Sequence, residues 1–481
     1  MREFPDLLNT GSALEIGAAI SARRLTSLEV TEWYLRRIAL YSDGSEGLNC
    51  VRSISPAAQE QAASADAELA AGLRRSPLHG VPYLLKDNVF TADGAFASAG
   101  CRALAGFLPP YEATLVRRLR EAGAVLLGKT NLTEFADFVA DTMPAEFSGA
   151  GGVVRNPLGH RYDRGQGSSV GSAAAVAARL CAFAIGTETQ NSIQAPALHT
   201  SIAGFKPTTG RVSRHGIVPL VPSQDSPGAL ALTVADAAAV HALIAGADVH
   251  DTATLAFPES RRQDAASLRG MRIGVPRRHL ADSILTEARS SVFAQVLRRL
   301  ADAGAVIVDP CDLPSAEQLS EVRSCVFRTE FKASLDGLLA SLQPCGMGSM
   351  ADIIDWNERH PDAIPYGQSL LVASNATAGL LSPGYIEDRR RDLALSVDAG
   401  INAALRAGRA DVLLVPMSAA AKCTGKAGAP VAAIPVGRDA DGLPFGITVF
   451  AAPGDDHAVL AAATAIEQLV AQRIAPVLDK Q

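Results

Sequence analysis

Residues 113–131, ATLVRRLREAGAVLLGKTN, read as a helix, a glycine turn, a strand and a second turn. A helix running straight into an apolar strand is the repeating unit of α/β proteins. The order recurs at 271–308, where MRIGVP, a helix and AGAVIVDP follow one another. HGVPYLLKDNV (79–89) holds a short apolar run bounded by Gly, Pro and Asp, the pattern of a buried strand. DVLLVP and PFGITVF, within 411–450, are two more apolar strands. These segments predict the α/β class, as a single α/β/α domain whose mixed central β-sheet is covered by helices on both faces.

Outward from that core, the N-terminal part is helical. Thr26 and Glu29 make a T-x-x-E capping pattern ahead of SLEVTEWYLRRIAL, in which Leu28, Val30, Tyr34, Leu35 and Ile38 recur near the helical period. The Ala- and Glu-rich stretch 56–73 is a second helix. The longest apolar run, Ala173 to Gly186, is interrupted by Arg179, is too short to span a bilayer, and reads as a buried helix. Residues 255–270 read as a polar connector. The expected organisation is one domain over 1–481: a helical segment 1–75, a core 76–245, a variable pocket-building region 246–405, and C-terminal strands with a helix at 406–481.

The chain has 481 residues, 48% hydrophobic and 20% charged, which is ordinary for a globular protein and unlike a disordered one. With 44 Lys plus Arg against 50 Asp plus Glu, the formal charge of −6 gives no footing for nucleic acid. Seven scattered cysteines, none spaced as a metal or redox pair, fit a reducing cytoplasm. The opening MREFPDLLNT has no basic stretch followed by an apolar one, so no signal peptide is expected.

Two segments carry the chemistry: GQGSSVGSAAAVAA (165–178) and AIGTETQNSIQAPA (184–197). The first is Gly- and Ser-rich and runs from a loop into an Ala-rich helix, as catalytic and anion-binding loops do. Gly167 to Gly171 formally match G-x-S-x-G, but that elbow needs a buried strand before it, and GHRYDRGQ is none. Amide hydrolysis by a serine needs a base for the hydroxyl, donors for the oxyanion and a proton for the leaving nitrogen. None of the nine histidines falls in either Ser-rich segment; His199 is the nearest. The residues alone leave two bases open: a histidine brought from a distant segment, or a lysine made neutral by burial, as Lys86 after VPYLL would be.

GVPYLLKD, GSSVGSAAAVA and GTETQNSIQAPA resemble the three ordered motifs of the amidase signature family, and 24 residues separate Ser168 from Ser192 as in that family. GKTNLTEF (128–135), RNP (155–157) and GFKPTTGRVSRHGIVPL (204–220) match in order as well. The resemblance spans roughly residues 20 to 475 and is weakest between about 245 and 345. SQDSPG (223–228) and DIIDWNERHPDAIPYGQ (352–368) are similar to the branch of peptide amidases and related neutral-amide hydrolases.

The resemblance implies Ser192 as nucleophile, Ser168 as a bridging serine on a cis peptide, and Lys86 as general base acting through Ser168. It further implies an oxyanion hole from the backbone N–H groups of Thr189, Gln190, Asn191 and Ser192, an acyl-enzyme, and neither metal nor other cofactor. The expected partner is a small-molecule amide, or a carbamate by the same mechanism, with no nucleic acid or membrane; a homodimer is left open.

Two departures stand out. Gln190-Asn191 replace the glycines common before the nucleophile, so Asn191 is expected to take up a left-handed turn and add a side chain to the pocket. Gln194 stands where many relatives have an arginine, so Gln194 and Asn191 are expected to face a substrate without a carboxylate there. Phe327, Phe331, Trp356 and Leu370 are available for an apolar pocket, with core packing the plainer role. Two rivals remain: the amidase-like component of a tRNA-dependent amidotransferase, and a binding protein without activity.

Overall fold

The computed structural model describes residues 4–44, 46–256, 267–342 and 346–478. The expected connector at 255–270 therefore lies mostly outside the described residues. Thr26 caps the helix Ser27–Tyr41 with both halves of the capping box, its side chain accepting from Glu29 N while Glu29 accepts from Thr26 N. Val30, Tyr34 and Ile38 on its inner face are buried, and Leu28 and Leu35 are half-buried beside them.

The strands, in chain order, are β1 (Val51–Ile54), β2 (Pro82–Lys86), β3 (Val125–Thr130), β4 (Phe147–Ser148), β5 (Gly152–Val153), β6 (Phe183–Glu188), β7 (Ala203–Lys206), β8 (Ser226–Ala231), β9 (Arg272–Gly274), β10 (Val306–Val308), β11 (Val412–Pro416), β12 (Val431–Arg438) and β13 (Pro444–Phe450). Among the described residues eleven of them form one sheet in the order β1-β3-β2-β6-β8-β7-β12-β13-β11-β9-β10, and β4 pairs with β5. The sheet is mixed: β2 runs parallel to β3 and β6, whereas β6-β8-β7-β12-β13 are antiparallel neighbours. Helices flank it. Its central strands are buried along their whole length, so they read as continuous apolar runs, not alternations.

Of the strands that escape the sequence reading, β8 and β12 do so because of their prolines. β8, SPGALA, looks like a turn because of Pro227-Gly228. It is a central strand in which a Cβ on Gly228 would lie 2.2 Å from Phe205 O, so only glycine lets β7 and β8 close up. β12 contains Pro435, which sits where the register with β13 shifts between Pro435 and Gly437. A proline is tolerated at such a bulge because no ladder donor is needed there.

The run from Ala173 to Gly186 is not one buried helix. The helix Val170–Ala177 ends, and β6 begins at Phe183. Arg179 takes a left-handed conformation (φ 60) between them, with Arg179 N bonded to Val176 O and Leu180 N to Ala175 O. That pair of bonds closes the helix in the manner usually reserved for glycine. The Arg179 guanidinium, buried, is held by Leu8 O (3.0 Å) and Gly11 O (2.7 Å), which ties the N-terminal segment to the core.

Phe331 is fully buried in a second core cluster, edge-on to Phe135 and Phe138; Phe327 packs against Phe138, and Trp356 stacks on His360. Among the described residues no helix is long and apolar enough to cross a membrane.

Candidate active site

β2 delivers Lys86 to the centre of the sheet, where it is 0% exposed. Its Nζ reaches Ser168 Oγ at 2.7 Å, Ser169 Oγ at 3.0 Å, Thr187 Oγ1 at 3.0 Å and Thr187 O at 3.2 Å. All four are hydroxyl or carbonyl oxygens. Burial without a carboxylate in contact penalises the ammonium form and lowers the Lys86 pKa to about 7, against the smaller opposing pull of Asp225, Glu188 and Asp137. An amine so poised is uncharged in a large share of molecules at neutral pH and has a lone pair for a neighbouring hydroxyl proton.

Ser168 follows a cis peptide from Gly167 and precedes the helix that starts at Val170. Ser169 fixes this loop onto β6: its Oγ donates to Thr187 O (3.1 Å) and accepts from Thr187 N (3.2 Å). Ser192 comes from the other side, in the loop between β6 and the helix Gln194–His199. The two loops are joined by Ser169 N donating to Ser192 O at 3.1 Å. The structure thus brings Lys86 and Ser168 into a direct hydrogen bond and sets Ser192 beside them, without a hydrogen bond between the Ser168 and Ser192 hydroxyls.

The loop 188–194 is clamped by Glu188. Its Oε2 accepts from Ile193 N (2.7 Å) and Gln194 N (2.9 Å), and its Oε1 accepts from Gln194 Nε2 (2.8 Å). Burial raises the Glu188 pKa, with Lys206 and these donors pulling the other way. Among the described residues the backbone N–H groups of Thr189, Gln190, Asn191 and Ser192 donate to no protein acceptor. Four successive free donors, held by a clamp one step away, are an arrangement of the kind that can bind an anionic oxygen. Asp225 supports the same loop by accepting from Thr189 Oγ1, Leu220 N and Val221 N.

Two expectations need correction. Gln194 does not face a substrate: it is 1% exposed, and its Nε2 is taken by Glu188 and by Gln190 O (3.1 Å). Asn191 donates its Nδ2 to Gly165 O at 2.7 Å and so holds the loop ahead of Ser168. Neither Gln190 nor Asn191 is left-handed, so no glycine-like turn is needed before Ser192. Four residues went unnoticed in the sequence: Ser169, Thr187, Glu188 and Asp225. The signals were the second serine of GSS and the lone acid at the end of an apolar strand.

Among the described residues no histidine bonds to Ser168 or Ser192. His199 stacks edge-on to Tyr162, and burial lowers its pKa to about 4.

The loop 188–194, rich in free N–H donors, lies beside a buried lysine with a depressed pKa, and the relatives of this chain make it an amide-hydrolysing enzyme. The chain belongs to the amidase family, whose model, described as Amidase, matches residues 29–427. It resembles the solved peptide amidase from Stenotrophomonas maltophilia at 38% identity, covering 98% of this chain and 99% of that one with a TM-score of 0.90. An amidase family protein from Bacillus anthracis is 31% identical over 98% of this chain and 93% of its own, also at 0.90. The A-type component of the glutamyl-tRNA(Gln) amidotransferase from Rhizobium meliloti is 34% identical over 94% of this chain and 96% of its own length.

Proposed function

We propose that the enzyme hydrolyses a neutral carboxamide C–N bond through an acyl-enzyme on Ser192. The observation that carries this reading is the 2.7 Å contact between Ser168 Oγ and a Lys86 amine whose pKa is lowered to about 7. Neutral Lys86 accepts the Ser168 proton as Ser168 accepts that of Ser192. The Ser192 oxygen attacks the carbonyl carbon, and the oxyanion is met by N–H groups of residues 189–192. Lys86, now charged, returns a proton through Ser168 to the leaving nitrogen, and the C–N bond breaks. Water then cleaves the ester by the same relay. A carbamate presents the same carbonyl to Ser192, so a urethane is the second substrate class.

The reading is tested by amine release from a neutral aryl amide and its matched aryl carbamate, with Ser192→Ala alongside and intact mass as a second readout. Turnover and an acyl adduct in the wild type, both lost in Ser192→Ala, are expected. Undiminished turnover by Ser192→Ala would end the proposal. Strict dependence on co-purifying partner proteins would favour the amidotransferase reading motivated by the Rhizobium relative.

A further inference from the structure

Phe135, Ala136 and Asp137 are three successive non-glycine residues in the left-handed region, at φ 44, 56 and 72. Residues with a Cβ enter that region singly and at a cost, and segments held there gather at functional sites. Hydrogen bonds hold this one. Thr133 N donates to Ser168 O at 3.1 Å, Phe135 N to Ala99 O at 2.9 Å, and Asp137 N to Glu134 O at 3.0 Å. Ala136 forms part of the wall of a cavity of about 220 Å³, with Asn88, Thr187 and Thr189.

The turn sets Asp137 beside the loops that carry Ser168 and Ser192. Gly165 N–H hydrogen-bonds the Asp137 carboxylate, and Gly165 O accepts from Asn191 Nδ2 at 2.7 Å, one residue before Ser192. Asp137 and Lys86 are close enough that each shifts the titration of the other.

The neighbouring carboxylates are filled from within the chain. Asp87 accepts from Ser98 Oγ, Ser98 N and Gly100 N, and Glu188 and Asp225 each take three donors. Asp137 differs: it has no side-chain donor and no ion pair among the described residues, and it is half-buried, so a ligand can reach it. Burial raises its pKa to about 7, with Arg164 and Lys86 pulling it down and Glu146 pushing it up. Arg164 is itself paired with Asp141 (3.2 Å), and Glu146 with Arg161 (2.9 Å). A partly desolvated carboxylate with one backbone donor gains most from a ligand that brings positive charge and several N–H groups.

We propose that Asp137 is a specificity residue whose carboxylate takes a protonated amine on the substrate, so that the enzyme selects amides carrying a cationic group over neutral isosteres and rejects anionic ones. The bound cation also offsets the pull of Asp137 on Lys86 and so favours the neutral base. The inference rests on the catalytic reading of Lys86, Ser168 and Ser192.

The test compares kcat/KM at pH 8, above the pKa of Asp137, for isosteres with the charge on either half of the amide. On the acyl half these are β-alanine anilide, butyranilide and succinic acid monoanilide; on the amine half, N-(2-aminoethyl)butyramide and N-propylbutyramide. In at least one half the wild type is expected to prefer the ammonium compound about tenfold, the factor for one hydrogen bond to a charged group, mainly through KM. In Asp137→Asn that preference is expected to fall to within about twofold, and the monoanilide to gain relative to butyranilide. Asp137→Ser is read in the same way should Asp137→Asn fail to fold. Ammonium and methyl compounds handled alike by the wild type, a preference unchanged in the variant, or an equal loss on all five substrates would each overturn the proposal. Turnover that survives Ser192→Ala would overturn the catalytic reading instead. If the wild type cleaves none of the five, ligand-detected NMR with the two ammonium compounds decides: binding that Asp137→Asn abolishes supports the cation site, and no binding, or equal binding to both proteins, refutes it.

Discussion

If Lys86 is the base, its protonation state sets the rate. Below its pKa of about 7 the active neutral form falls tenfold per pH unit, so kcat/KM at pH 6 should be about a tenth of the plateau, and at pH 5 about a hundredth. A solvated lysine would behave otherwise, with a rate still climbing toward pH 10. The same shift acts on stability. Between about 7 and its ordinary value of 10.5, Lys86 is protonated in the unfolded chain and neutral in the folded one. The unfolded state thus binds the extra proton, so this group's contribution to stability rises with pH across that window and is worst below it, by on the order of a few kcal/mol. Lys86→Met should abolish activity at every pH and flatten that part of the stability curve. The assay is initial-rate aniline release from pH 5 to 9.5 at constant ionic strength, with urea midpoints for both proteins over the same range. A wild-type rate that is flat to pH 5 would remove lysine from the base's role, and one still rising tenfold per unit at pH 9 would refute the lowered pKa.

Glu188→Gln replaces one clamp oxygen with a donor facing Gln194 or the loop N–H groups; a fall in kcat with a loss of about 1–3 kcal/mol in stability is expected, read by kinetics and urea unfolding. Gly425→Ala would place a methyl 2.9 Å from both Gln190 Cα and Thr189 O. The loop that carries Ser192 must shift, so kcat should drop by roughly tenfold while Tm moves little. Arg179→Ala strips the donors from Leu8 O and Gly11 O and should cost about 2–3 kcal/mol in urea unfolding, with activity per folded molecule unchanged.

Local signals carried much of the fold into view. The Thr26–Glu29 box, the apolar run of Pro82–Lys86 and the helix-to-strand step at 114–130 are each set by residues close in sequence, and each appears in the structure. Features decided by distant partners were illegible. β8 is a strand because Gly228 accepts the backbone of β7 at its face, and Arg179 ends a helix because Leu8 and Gly11, some 170 residues earlier, receive its guanidinium. In the site, ordered motifs pointed to Lys86, Ser168 and Ser192. The direction of a side chain was another matter: Gln194 and Asn191 sit beside Ser192 in sequence, yet Glu188 and Gly165 claim their amides. The cavity walled by Asn88, Thr187 and Thr189 is assembled from five separate stretches between residues 88 and 251, which no single stretch announces.

The order of strands bears on how this chain tolerates being cut. β1, β3, β2, β6, β8 and β7, which carry the whole candidate site, are all contained in residues 51–231. It is tempting to see a minimal enzyme in that stretch. But β7 ends this half of the sheet, and its partner is β12, with Phe205 opposite Ala432 and Lys206 opposite Val431. A fragment stopping before residue 431 would leave Ala203–Lys206 as a flat, apolar edge with its amide and carbonyl groups bare. Such an edge recruits a second copy of itself. Truncation should therefore yield aggregates, and the strand that arrives more than two hundred residues later serves as the seal that keeps the catalytic half solitary.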